Sequence, residues 1–111
     1  MLTDLHCEIC NRDSVKVTEQ ECAEYLKFLP HWQIITENDV QKLRREFKFT
    51  TYQAGLNFTN QVAALAEDEN HHPDMILQWG RVTVIWWTHS INALHKNDFI
   101  LAAKTDVLYQ D

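Results

Sequence analysis

The chain has 111 residues, 45% of them hydrophobic, with 2 glycines and 2 prolines, which fits one compact domain with an unstapled core and leaves no room for a second. Lysine and arginine number 10 against 16 acidic residues, a net charge of -6 that argues against direct binding to phosphate backbones. No run approaches the roughly 18 apolar residues of a membrane span, and Met1 to Leu5 has no basic segment leading into an apolar one, so a soluble cytoplasmic protein is expected. With 3 cysteines, of which only Cys7 and Cys10 lie close together, a disulfide framework is not the organising device, and Cys22 is expected in the core.

Residues 1–16 show no periodicity and read as an appendage carrying His6-Cys7-Glu8-Ile9-Cys10 and the turn-like Asn11-Arg12-Asp13-Ser14. The domain proper, residues 17–111, starts near Val17. Thr18 and Glu21 have the spacing of a capping box, and Cys22, Tyr25, Leu26 and Leu29 repeat at helical intervals until Pro30. Two extended segments follow, Trp32 to Thr36 and Val40 to Phe49, joined by the polar turn Glu37-Asn38-Asp39. In the second, Leu43, Phe47 and Phe49 share one parity, and Lys42, Arg44, Glu46 and Lys48 the other. Arg45 breaks the pattern, which a strand edge or a dimer contact would absorb.

Thr50 or Thr51 can cap the next helix, with an inward stripe of Tyr52, Gly55, Leu56, Thr59, Val62, Ala63 and Leu65 or Ala66, ending near Glu67-Asp68-Glu69-Asn70. After His71-His72-Pro73 come Met75 to Trp79 and Val82 to Thr88, separated by Gly80-Arg81; the second is apolar on both parities and is expected to be a buried central strand. Asn97 and Asp98 occupy the cap or first turn of a last helix running through Phe99, Ile100, Ala102, Ala103, Val107 and Leu108. The order α-β-β-α-β-β-α implies an α+β fold, a four-stranded antiparallel sheet with three helices on one face. An uncovered face or edge strand then calls for an oligomer.

Pro73 restricts His72 to an extended conformation and stiffens the corner that holds His71 and His72. His89 follows the central strand, and in an antiparallel hairpin that end returns beside the start of the strand after Pro73, so the three imidazoles are expected to meet. Imidazole titrates near neutrality, so such a group can hold one base and one acid together. Glu67, a helical turn before His71, and Asp98 could each orient an imidazole. Against this stand an inert exposed turn and a zinc site, although adjacent histidines rarely aim both rings at one ion. His6, Cys7 and Cys10 make a partial zinc pattern with no second pair. Most of Trp32, Trp79, Trp86 and Trp87 are expected in the core or an interface, one of them free to stack on a flat heterocycle, and His31 and His95 at the surface.

The set Glu67-x-x-x-His71-His72-Pro73, Thr88-His89-Ser90 and Asp98 resembles the pterin-4a-carbinolamine dehydratase family, over about residues 17–108 and including Leu29-Pro30-x-Trp32. Gly80-x-Val82-x-Val84-x-Trp86-Trp87-x-His89-Ser90 and Leu94-x-x-Asn97-Asp98 are similar to its bacterial branch. The resemblance implies a hydro-lyase that dehydrates a 4a-hydroxytetrahydropterin to quinonoid dihydropterin, recycling the tetrahydropterin used by an aromatic amino acid hydroxylase. On that resemblance His71 and His89 would be acid and base, and His72 would add to the catalytic set chiefly by positioning the pterin. Pro73, Thr88 and Ser90 would help line the pocket, with Glu67 and Asp98 supporting the histidines. It implies no metal and no organic cofactor, the pterin being substrate, and a homodimer or tetramer joined through the sheets. The rival classes are a protein-binding module of the same fold and a zinc-binding protein using the amino-terminal cysteines. Met75 replaces an aromatic residue common in animal relatives.

Overall fold

The computed structural model describes residues 2–8 and 14–110. After a short 3-10 turn at Leu2–Asp4, the elements are α1 (Glu19–Leu26), β1 (Gln33–Glu37), β2 (Val40–Lys48), α2 (Tyr52–Glu69), β3 (Asp74–Gln78), β4 (Arg81–Trp86) and α3 (Lys96–Leu108). This is the expected α+β order, in an antiparallel sheet of strand order β1-β2-β4-β3.

Local chemistry sets the boundaries. The Thr18 hydroxyl accepts from the Glu21 N–H, and the Glu21 carboxylate accepts from the Thr18 N–H, a complete capping box. Thr51 caps α2 by accepting from Ala54. Both hairpins have two-residue loops, since Glu37 pairs with Val40 and Gln78 with Arg81. Asn38 and Asp39 take positive φ of 51° and 65°, and Gly80 takes 75°, the conformations that match the twist of tight hairpins.

The helices cover the face from which Leu43, Phe47, Val82 and Trp86 project, and all four are fully buried. Phe47 sits at the centre, its ring 4.7 Å from Phe58, 5.1 Å from Tyr109 and 5.9 Å from Trp32. The buried line of α2 is Gly55, Phe58, Val62 and Ala66, so the inward stripe expected from sequence is corrected. Phe58 belongs to it, and Tyr52 lies exposed. Gly55 allows the close approach, because a Cβ there would meet Leu77 at 3.3 Å and Val82 at 3.4 Å.

Arg45 shares the inner face through its pairing with Val84, and β2 is an interior strand, so a strand edge does not explain it. Its guanidinium donates to Asp106 of α3 at 2.6 Å and lies 4.2 Å from the centre of the Phe47 ring. Trp32 donates to the same carboxylate at 2.8 Å. Burial pushes the Asp106 carboxyl above its ordinary pKa, more than the bonds from Trp32 and Arg45 pull it down. Cys22 is half-buried against the core. No helix of the described residues is long and apolar enough to cross a membrane.

Candidate active site

Four segments carry the site. At the end of α2, Asn70 is left-handed (φ 50°, ψ 45°), a conformation that asparagine tolerates. The chain turns there, and the His71 N–H still bonds the Ala66 carbonyl at 3.1 Å. His71 is thereby buried, while His72 faces solvent ahead of Pro73 and β3. Beyond β4, Thr88 pairs with Ala93, closing the loop 89–92 that presents His89 and Ser90. The fourth segment is the first turn of α3, which supplies Asp98.

The fully buried Asp98 carboxylate is the hub. Oδ1 bonds His71 Nε2 at 2.8 Å, and Oδ2 accepts from the Thr88 hydroxyl at 2.9 Å and from the His95 N–H at 2.9 Å. A carboxylate offers acceptors only, so the proton of the neutral His71 ring sits on Nε2. Nδ1 is left as the nitrogen that can take or give a proton.

His72 and His89 are held differently. His72 Nε2 bonds the Glu67 carboxylate at 2.6 Å, with both side chains largely exposed. His89 is stacked on Trp87, ring centres 4.1 Å apart and planes at 27°, and the Lys42 ammonium lies 4.1 Å from the centre of the same indole. Glu67 therefore serves His72 rather than the His71 one helical turn away, and Asp98 serves His71.

The histidines His71, His72 and His89 line one cavity of about 300 Å³ together with Asn70, Thr88 and Ser90. Pro73, expected in its wall, is half-buried but does not line it. A larger groove of about 610 Å³ between α2 and α3 is lined by residues such as Gln61, Leu65 and Val107 and has no histidine, so the smaller cavity is the candidate for acid-base chemistry.

Sequence reasoning missed Asn70, Lys42 and His95, and did not give Trp87 its place under His89. Asn70 had a local signal, an asparagine directly after a helical run, and Trp87 stands only two residues before His89, on the same side of an extended chain; Lys42 reaches the Trp87 indole only through the pairing of β2 with β4. His95, expected at the surface, is buried. It is the cap of α3, its Nδ1 accepting from the Asn97 N–H at 3.0 Å while Asp98 completes a capping box, so the cap lies ahead of Asn97 and Asp98. His31 is exposed. Trp32, Trp86 and Trp87 are buried, and Trp79 is 74% exposed. Of the partial zinc pattern, Cys10 lies outside the described residues, as do the turn residues Asn11, Arg12 and Asp13; the His6 ring and the Cys7 backbone N–H bond Glu69, and the Cys7 thiol faces the Asn97 carbonyl at 4.0 Å. Among the described residues no group of three or more histidine, cysteine or acidic side chains could hold a metal ion.

The family model for pterin 4 alpha carbinolamine dehydratase matches residues 15–108. The chain belongs to this family. A crystal structure of a transcriptional coactivator/pterin dehydratase from Brucella melitensis is similar over 85% of this chain and 98% of its own, at 32% identity and a TM-score of 0.76. A pterin dehydratase-like protein described as a RuBisCO assembly factor in the alpha-carboxysome aligns at 22% identity and a TM-score of 0.59, covering 69% of this chain and 87% of its own. At that identity the second likeness is one of fold. Within the dehydratase family fold, the cavity described above lies where α2, β4 and α3 converge.

Proposed function

We propose that this protein dehydrates a 4a-hydroxytetrahydropterin to quinonoid dihydropterin and water. The reaction protonates the 4a-hydroxyl, which leaves as water, and removes the N5 proton as the double bond between C4a and N5 forms. His71 and His89 are the acid and base, facing one cavity from different elements, and His72 and its Glu67 partner position the pterin. Thr88 and Ser90 complete the wall. The observation that carries this reading is His71 in the lining of the cavity, its ring fixed by a buried carboxylate whose other two donors are the hydroxyl of Thr88, also in the lining, and the backbone N–H of His95. Proton transfer supplies the chemistry, so the proposal needs no metal and no organic cofactor. An aromatic amino acid hydroxylase is the class of enzyme that generates such a substrate, and a homodimer joined through the sheets is the assembly proposed.

Chemically generated 4a-hydroxytetrahydropterin, followed by ultraviolet absorbance after rapid mixing, tests this. Acceleration over buffer is expected, reduced by about 10² to 10⁴ in a His71→Ala, His89→Ala double variant. No acceleration, or full activity in that variant, would sink the enzyme reading and leave the protein-binding module in its place.

A further inference from the structure

The amino-terminal segment lies outside the span matched by the family model, yet His6, Cys7 and Glu8 attach its described part, residues 2–8, to the two helix ends that flank the site. At the close of α2, Glu69 Oε1 bonds His6 Nδ1 at 3.1 Å and accepts from Lys104 Nζ at 2.7 Å, while Oε2 faces the Cys7 N–H at 3.4 Å. At the start of α3, the Asn97 side-chain amide is bracketed by the backbone of Glu8. Oδ1 accepts from the Glu8 N–H at 2.9 Å, and Nδ2 donates to the Glu8 carbonyl at 2.8 Å. The Glu8 carboxylate also stands 3.8 Å from His95 Nε2, the nitrogen on the far side of the ring that caps α3.

These attachments are placed where they matter to the His71 and Asp98 pair. Glu69 is two residues before His71, and Asn97 immediately precedes Asp98. Asn97 is fully buried. Withdrawing Glu8 would take a partner from each end of a buried amide, a loss that the start of α3 would have to absorb by moving. Glu69 points the same way: burial pushes its carboxyl up, but the bonds from Lys104, His6 and Cys7 outweigh it and hold its pKa below the ordinary value.

We propose that residues 2–8 form a clamp joining the end of α2 to the start of α3, and that Glu69 and Asn97 are positioning residues through which it keeps Asp98 on His71. Its activity consequence rests on the dehydratase reading; its geometric core does not.

The test is made on the full chain with Glu8→Pro, which removes the N–H given to Asn97 and leaves every side chain of α2 and α3 intact, beside Glu8→Ala, which keeps that N–H. Three readouts are taken: alkylation of Cys7 resolved by mass spectrometry, solvent exchange of the His71 ring proton bound to Asp98 by NMR, and kcat with KM. Loss of one net hydrogen bond predicts Cys7 labelling about fivefold faster in Glu8→Pro, with faster exchange of the ring proton. A small displacement of a catalytic group predicts a fall in kcat of roughly tenfold or more, with KM little changed. Glu8→Ala is expected to label slowly, as the native chain does. Unchanged Cys7 labelling in Glu8→Pro would show that this bond does not hold the segment, and faster labelling with an unaltered ring proton would show that the segment does not serve the pair; either overturns the proposal. A chain that is inactive in every form while the ring proton responds would remove the dehydratase reading and keep the clamp.

Discussion

Two histidines adjacent in sequence make carboxylate pairs of opposite character. His71 and Asp98 are buried, and the Asp98 oxygens take bonds from three partners; His72 and Glu67 are exposed and depend on a single bond of 2.6 Å. In the first pair the surroundings fix which ring nitrogen carries the proton. In the second, water competes for both partners and screens their charges, so the pair orients the ring without locking it. The difference suits a division of labour in which His71 moves protons and His72 holds substrate.

The sharpest way to break the contrast is Asp98→Asn. One amide oxygen would be drawn to the two donors now on Oδ2, leaving the amide NH2 facing His71 Nε2 and forcing the ring into its other tautomer. A fall of about 10² or more in kcat/KM is expected, with a lowered melting temperature, in the rapid-mixing assay and a thermal scan. Retention of full activity would mean that Asp98 does not set the state of His71. Glu67→Gln should do far less. Exposed pairs contribute about 0 to 1 kcal/mol, so stability should hold and KM should rise by no more than about fivefold with kcat unchanged; a kcat collapse would move His72 into the proton-transfer role.

The smallest effect concerns pH and the base of the clamp. The folded pKa of Glu69 is depressed, so its contribution to stability is present above the ordinary glutamate value, about 4.3, and disappears as pH falls through the folded value. Chemical denaturation from pH 7 to pH 3 should show this acid loss in the native chain and a weaker one in Glu69→Gln. Equal slopes would mean that Glu69 holds the segment no more strongly than a neutral amide does.

Much of the fold was legible because its boundaries are set by local chemistry. Thr18 with Glu21, Thr51, the Asn38-Asp39 turn and Gly80 each act over two or three residues, and each is found in its expected role. The stripe of α2 was misread by omitting Phe58, although the signal was local: Gly55, Phe58, Val62 and Ala66 succeed one another at three- and four-residue intervals along one face of the helix. Within the site, the meeting of His71, His72 and His89 followed from hairpin geometry. The assignment of Glu67 to His72 did not, because spacing along a helix favours the turn above, whereas Asn70 reverses the chain before His71 is reached.

By itself the sequence determined the order of elements and the corner at which the histidines gather, since helix caps, tight turns and hydrophobic alternation are short-range properties of the chain, and the family through the resemblance of its motifs. Only the tertiary structure decided the pairings: Asp98 with His71, 27 residues apart, Arg45 with Asp106, 61 apart, and Glu8 with Asn97, 89 apart. Those contacts depend on strand order and on the seating of α3 against the sheet. A charged or polar group removed from water takes whichever partner packing brings within reach, and no spacing along the chain announces which one that will be.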